Sequence, residues 1–294
     1  MTAIAKKRVF RATGYGLAGL LTVAGAAGCG SGDDKDTSKT QDNTSTSAQH
    51  SSDQVVQATN EKTTRAGSAK VKLSSTVVAD GKSKTVTGAG VMDFAHGTSQ
   101  LTFGQAGKRL EQRVIDKILY QKPPKGEGSL PGGKTWMKID LKKLAASGTA
   151  GSDQASDPAD SFAYSKSLAR KDIKKVGQES VGGVDTTHYR VMLDIEKLAQ
   201  GDEQKAKKLR RQLGESVPVD LWVDGKGLMR RQQVQMTVKA PDPGSSSQKT
   251  GGTSKVKSVM EFSDFGTGVN VDKPAASDTA DLTDKLIQQN PEKA

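Results

Sequence analysis

The residue types that do chemistry are scarce in this sequence. It holds one cysteine, Cys29, and three histidines, His50, His96 and His188, in 294 residues. A single thiol excludes an intrachain disulfide and any multi-cysteine zinc or iron–sulfur site. Three scattered histidines leave little for a histidine-based metal site. No Gly-x-Ser-x-Gly elbow, histidine–carboxylate motif or paired-carboxylate motif occurs along the chain, so no catalytic residue, metal or cofactor is expected. His188 stands in an alternating run, in phase with Arg190 and Met192, and reads as a satisfied structural or surface histidine. Asp80-Gly81 and Asp224-Gly225 read as turns, because no oxygen-rich loop of calcium-binding spacing surrounds them.

Cys29 takes its meaning from what precedes it. Lys6, Lys7, Arg8 and Arg11 come without an acid, and an uncharged stretch from Ala12 to Ala24 leads into Gly25-Ala26-Ala27-Gly28. Basic, apolar, small is the order of a secretory leader. The apolar part is shorter and richer in glycine than a membrane span, which takes about 20 apolar residues. Ala26-Ala27-Gly28-Cys29 resembles the lipobox of bacterial lipoproteins. That resemblance implies cleavage before Cys29, a diacylglyceryl group on its thiol and acylation of the new N-terminus. Residues 1–28 are therefore expected to be a lipoprotein signal peptide, with membrane lipid holding the rest through Cys29 at the extracellular face of the cell membrane. The leader carries four positive charges and no negative one, so its loss lowers the net charge from +11 to +7. That balance suits anionic headgroups or wall polymers, and in an exported chain it does not point to nucleic acid.

The elements that position these residues are mostly strands. Only 33% of the chain is hydrophobic and 4% aromatic, with 32 glycines, so part of it must be linker. Residues 29–51 lack large apolar side chains and read as a disordered tether spanning on the order of 25 Å. A helix is expected from Ser52, and a second from Asp202 to Leu213 with Gly214 as its stop, besides a candidate over Ser161 to Lys171. About nine strands alternate apolar and polar residues, most clearly Gln233 to Lys239, and Leu110 to Tyr120 reads as one of them. Stretches at about 146–160 and 240–254 read as mobile insertions, and 285–294 as a tail. The fold class is α+β: an antiparallel sheet over 52–284 with one wet face and a few helices covering the other.

Leu119-Tyr120-Gln121-Lys122-Pro123-Pro124 with Gly132-Gly133-Lys134-Thr135-Trp136-Met137-Lys138-Ile139-Asp140 resembles the strand, turn and tryptophan strand of the LppX/LprG-type, LolA-like envelope lipoproteins. Lys175 to Tyr189, Val219 to Arg231, and Phe262 to Gly266 with Pro274 are similar to further stretches of that family. The resemblance implies a curved, half-open antiparallel β-barrel with helices over its concave face, and a lipid or lipoglycan ligand.

Under that fold the inward, ligand-lining candidates are Val77, Val91, Phe94, Leu101, Phe103, Leu221, Val234 and Met236. Trp136 and Trp222 either line the same cavity or anchor the sheet. Lys205, Lys207, Lys208, Arg210 and Arg211 form a cationic helix that either meets anionic headgroups or is a solvated face. Two functions compete. One is the binding or shuttling of a lipid-like molecule in an apolar cavity. The other is a protein-interaction or sensing module whose concave face is plugged by its own helices.

Overall fold

The computed structural model describes residues 52–126, 130–147, 172–199, 202–239 and 253–289. The leader, Cys29, the tether, the candidate helix over Ser161 to Lys171, most of both insertions and the last five residues lie outside the described residues. No helix among those described is long and apolar enough to cross a membrane.

Among the described residues twelve strands form one open sheet. In chain order they are β1 (Ser68–Ala79), β2 (Lys82–Asp93), β3 (Thr98–Gln105), β4 (Lys108–Ile115), β5 (Ile118–Lys122), β6 (Trp136–Asp140), β7 (Ile173–Val181), β8 (Val184–Asp194), β9 (Ser216–Asp224), β10 (Met229–Lys239), β11 (Thr253–Ser263) and β12 (Thr279–Asp281). Their spatial order is β12-β6-β5-β4-β3-β2-β1-β11-β10-β9-β8-β7. Every neighbouring pair is antiparallel except β12 on β6. The α+β class and the half-open, helix-covered sheet stand as expected. Leu110 to Tyr120 does not form a single strand. Asp116 and Lys117 both adopt positive φ, 54° and 61°, and fold it into the β4–β5 hairpin. This is the backbone of a primed two-residue turn made without glycine, so its usual sequence mark is missing.

Among the described residues five α-helices accompany the sheet: α1 (Ser52–Arg65), α2 (Leu141–Ala146), α3 (Ile195–Ala199), α4 (Glu203–Leu213) and α5 (Thr283–Gln289). α4 follows its sequence signals: the Asp202 side chain accepts a hydrogen bond from the Lys205 N–H, and Gly214 ends the helix at φ 89°. One sheet face, here the inner face, carries the core. Val71, Leu73, Met92, Leu101, Val191, Val219, Leu221, Met260 and Phe262 are buried there, with Val55, Leu198, Leu209 and Leu213 of α1, α3 and α4 packed against them. A smaller core of Val114, Ile139, Leu141 and Leu144 lies under α2 and α5.

Gly90 marks a close approach within the sheet. A Cβ at that position would stand 1.9 Å from the Gln100 carbonyl oxygen, which is backbone and cannot swing aside. Gly90→Ala is therefore expected to spread β2 from β3 and to lower stability by about 3 kcal/mol, the upper part of the range for overpacking. A urea denaturation midpoint unchanged from the parent would contradict this.

Candidate functional site

Strand register decides which side chains share the inner face. Lys84 pairs with Val77, Val77 with Val256, and Val256 with Met236, making one row across β2, β1, β11 and β10. The next row runs Val86, Ser75, Ser258 and Val234, with the Ser75 and Ser258 hydroxyls 3.1 Å apart at its centre, and the row after it runs Leu110, Phe103, Gly88, Leu73 and Met260. Gly88 has no side chain to lift the Phe103 ring, whose edge would lie 2.8 Å from any Cβ placed there. α3 packs on β8, and α4 on β9 and β10. On the β1, β2, β3 and β11 side of that cover, Val77, Val86, Phe103, Leu110 and Val256 remain half-buried, as do Val234 and Val238 of β10. An apolar strip thus continues the filled core into partial exposure.

The expected lining residues divide in three. Leu101, Leu221 and Met236 are buried on the inner face, and Phe94, just past β2, packs edge-on against Phe262 with ring centroids 6.0 Å apart. Val77, Phe103 and Val234 are on the half-exposed strip. Val91 and Trp136 are corrected to the outer face. Val91 pairs with Lys70 and Gln100, opposite in phase to Gly90 and Met92, so it cannot share a lining with Leu101. Trp136 lies opposite Met137, which joins the smaller inner core. It is buried beside β12, with the Arg113 guanidinium 4.7 Å and the Lys122 ammonium 5.7 Å from its ring centroid. It anchors the sheet edge. Val86, Leu110, Val238 and Val256 belong to the strip and were missed by sequence reasoning. Their period-two spacing was visible, but their phase was not.

Two open cavities border the helices, of about 450 Å³ along Gln204, Lys207, Arg210 and Arg211, and about 370 Å³ between α1 and Gly227. Neither is a closed apolar chamber. The five cations of α4 do not form one free surface: Arg210 is bound by Glu196 and by Glu215 at 3.1 Å, and Lys205 is half-buried, while Lys207, Lys208 and Arg211 are exposed.

On the outer face the register assembles a histidine–carboxylate cluster that no local motif announced. His188 Nε2 lies 2.8 Å from Asp220 Oδ1, and its Nδ1 lies 3.1 Å from Glu179 Oε1. The ring stacks on Trp222 at 4.2 Å, and Trp222 Nε1 donates to Glu179 Oε2 at 3.0 Å. Arg190 donates two hydrogen bonds to Asp220, at 2.9 and 3.1 Å. Arg231 covers the other side of Trp222 and donates to Glu261. Burial raises the Asp220 carboxyl, but hydrogen bonds from Arg190 and His188 outweigh it and hold the group below its ordinary value. With both ring nitrogens and the ring face occupied, His188 is a tie between β7, β8 and β9, and Trp222 a second anchor.

A protein of Streptomyces griseus named "Uncharacterized 31.2 kDa protein in rplA-rplJ intergenic region" is 32% identical to this chain over 217 residues, 69% of this chain and 67% of that protein. The chain belongs to the family of that protein. A relative in Streptomyces coelicolor, named "Putative lipoprotein SCO4650", is 27% identical over 77% of this chain and 74% of its own length. No family model matches. Among solved structures, LprF from Mycobacterium bovis is 15% identical with a TM-score of 0.42, covering 76% of this chain and 97% of its own. The Mycobacterium tuberculosis lipoprotein LppX is 14% identical with a TM-score of 0.33, covering 74% and 98%. A LolA-superfamily protein from Nitrosomonas europaea is 11% identical with a TM-score of 0.28, covering 73% and 94%.

Proposed function

We propose that this chain is a membrane-anchored lipoprotein of the cell envelope, tethered through acylated Cys29, that binds a lipid-like hydrophobic ligand along the inner face of its sheet. The observation that carries the reading is the inner-face strip of Val77, Val86, Phe103, Leu110, Val234, Val238 and Val256, which stays only partly buried where it borders the core under the helices. Apolar side chains gathered on a trough-shaped face favour an apolar guest, at roughly 25 cal/mol per Å² removed from water. The name of the Streptomyces coelicolor relative supports the anchor. The lipobox supports the extracytoplasmic face. The reading is of a binding protein rather than a catalyst: His188 and Asp220 are buried, and their polar atoms are taken up by the half-exposed Glu179 and Arg190.

A second reading, a protein-interaction or sensing module, draws on the filled core beneath α1, α3 and α4. Native mass spectrometry and lipid extraction of protein purified from its own membrane separate the two. A non-covalent lipid beyond the acyl groups on Cys29, lost in Val256→Glu, is expected for the binder. Absence of such a lipid, with an added fluorescent fatty acid also failing to bind, favours the module.

A further inference from the structure

The two ends of the sheet differ in charge. β1, β3 and β10 finish, and β2, β4 and β11 begin, at the same end, because Ala79 pairs with Lys82 and Ser254, Gln105 with Lys108, and Lys239 with Thr253. These strand ends carry Lys82, Lys84, Arg109, Lys239, Lys255 and Lys257, all exposed. Register puts Lys82 and Lys84 on the inner face and the other four on the outer face, so the charge belongs to the end of the sheet and not to one side of it. Among the described residues none of the six has an acidic partner, whereas Lys108 beside them is already engaged. Asp80, in the β1–β2 turn, is the one acid in 76–87, 102–110, 234–239 and 253–259. The opposite end holds acids beside its cations: Lys70 meets Asp264 and Arg230 meets Asp224, each at 2.7 Å, and Arg65 meets Glu61 and Lys273 meets Asp116, each at 3.5 Å. The apolar strip opens at the cationic end, since Val77, Val238 and Val256 lie near those strand ends, and Val78 is exposed there on the outer face.

We infer that this end of the sheet is a docking surface for the anionic headgroups of the membrane that holds the protein, so that the open end of the strip faces the bilayer. The inference rests on the membrane anchor proposed above and is independent of what the strip binds. Cys29 and Ser52 are separated by residues 30–51, a stretch that extends at most about 75 Å, against about 40 Å for β1. The anchor alone therefore does not choose which end of the sheet meets the bilayer, and charge does. Each cation close to an anionic leaflet favours contact about fivefold. The deepest of the six, Lys257, pairs with Thr76 about 10 Å from the end of β1, close to one Debye length in physiological salt. Cations on both faces suit a surface that meets the strand ends head-on, whereas a polymer lying along one face reaches only part of them.

The test uses the full-length acylated protein in vesicles of phosphatidylglycerol and phosphatidylcholine that contain a lipid spin-labelled on its headgroup. A fluorophore is attached to Ser83→Cys at the cationic end, or to Ala95→Cys in the exposed β2–β3 turn at the opposite end, with Cys29 held by its lipid. Quenching is expected to fall on Ser83→Cys, that orientation being favoured at least about fiftyfold over the reverse. The preference fades in about 0.5 M salt and in phosphatidylcholine alone, because screening or loss of the anionic lipid removes the attraction. Changing Lys82, Lys84, Lys255 and Lys257 together to glutamine abolishes it, and changing the same four to arginine retains it, which separates charge from folding. Equal quenching of the two labels, or stronger quenching at Ala95→Cys, in vesicles that hold the protein overturns the docking surface and leaves the anchor standing. Equal quenching together with binding of soluble polyphosphate through the same four lysines overturns the membrane in favour of a soluble polyanion. Protein that does not stay with the vesicles overturns both the anchor and the docking surface.

Discussion

Cys29→Ala moves the protein from the membrane pellet to the soluble fraction. The thiol is the chain's only acceptor for a thioether-linked lipid, and without it the leader has no lipobox cysteine. A single acyl chain gives only marginal attachment, an association constant of roughly 10⁴ M⁻¹, and each further buried methylene adds about 0.8 kcal/mol. Loss of a doubly or triply acylated anchor therefore shifts the membrane-to-soluble ratio by at least ~100-fold. Residual attraction between a +7 domain and anionic headgroups is screened by salt and does not replace it. Ultracentrifugation in 0.5 M salt, roughly three times physiological ionic strength, reads the outcome. A variant that still sediments with the membrane as completely as the parent refutes the anchor, and the mass of the parent's N-terminal peptide gives an independent check.

Asp220→Ala is the largest destabilisation expected from the outer-face cluster. Asp220 is 4% exposed and receives hydrogen bonds from His188 and from both arms of the Arg190 fork. Removing one partner of a buried charged network costs about 3–5 kcal/mol. Arg190 is half-exposed and can turn to water, so the expected loss is the lower figure, about 3 kcal/mol. The loss depends on pH with a definite sign. Asp220 titrates in the fold below its ordinary value. Its stabilisation is complete above about pH 4, the ordinary aspartate value, and disappears as the pH falls through its lower value in the native state. The stability gap between the parent and Asp220→Asn, measured by urea denaturation, therefore narrows below about pH 4. A gap under 0.5 kcal/mol at neutral pH, within the usual spread for surface substitutions, or one that stays constant down to pH 3, contradicts the assignment.

The outer face is easily misread as a wet, featureless side. Its alternation is polar, but Trp222, His188 and Asp220 are buried there under Arg190, Arg231 and Glu179, whose long stems cover the ring. Mixed aromatic and charged side chains can build a second, thinner packed layer, and sequence alternation alone does not show it.

Local patterns in the sequence determined a good deal. The composition, the basic and then apolar N-terminus and the isolated Cys29 carry the proposed anchor and tether. The alternation of Gln233 to Lys239 specified β10, because residues two apart must point the same way in an extended chain. Asp202 and Gly214 bounded α4, because cap chemistry acts over one turn. What tertiary structure alone decided was phase and neighbourhood. β2 offers Val86, Val91 and Met92, and nothing within the strand says whether odd or even positions face the core. Pairing with β1 and β3 turns Gly88, Gly90 and Met92 inward and Val91 outward. The same kind of choice, made by strands far apart in the chain, carried Trp136 to the outer face and set Glu179 beside His188 and Asp220. A shift of one residue in register exchanges the two faces of a strand, so the lining of the trough belongs to the assembled sheet and not to any segment of it.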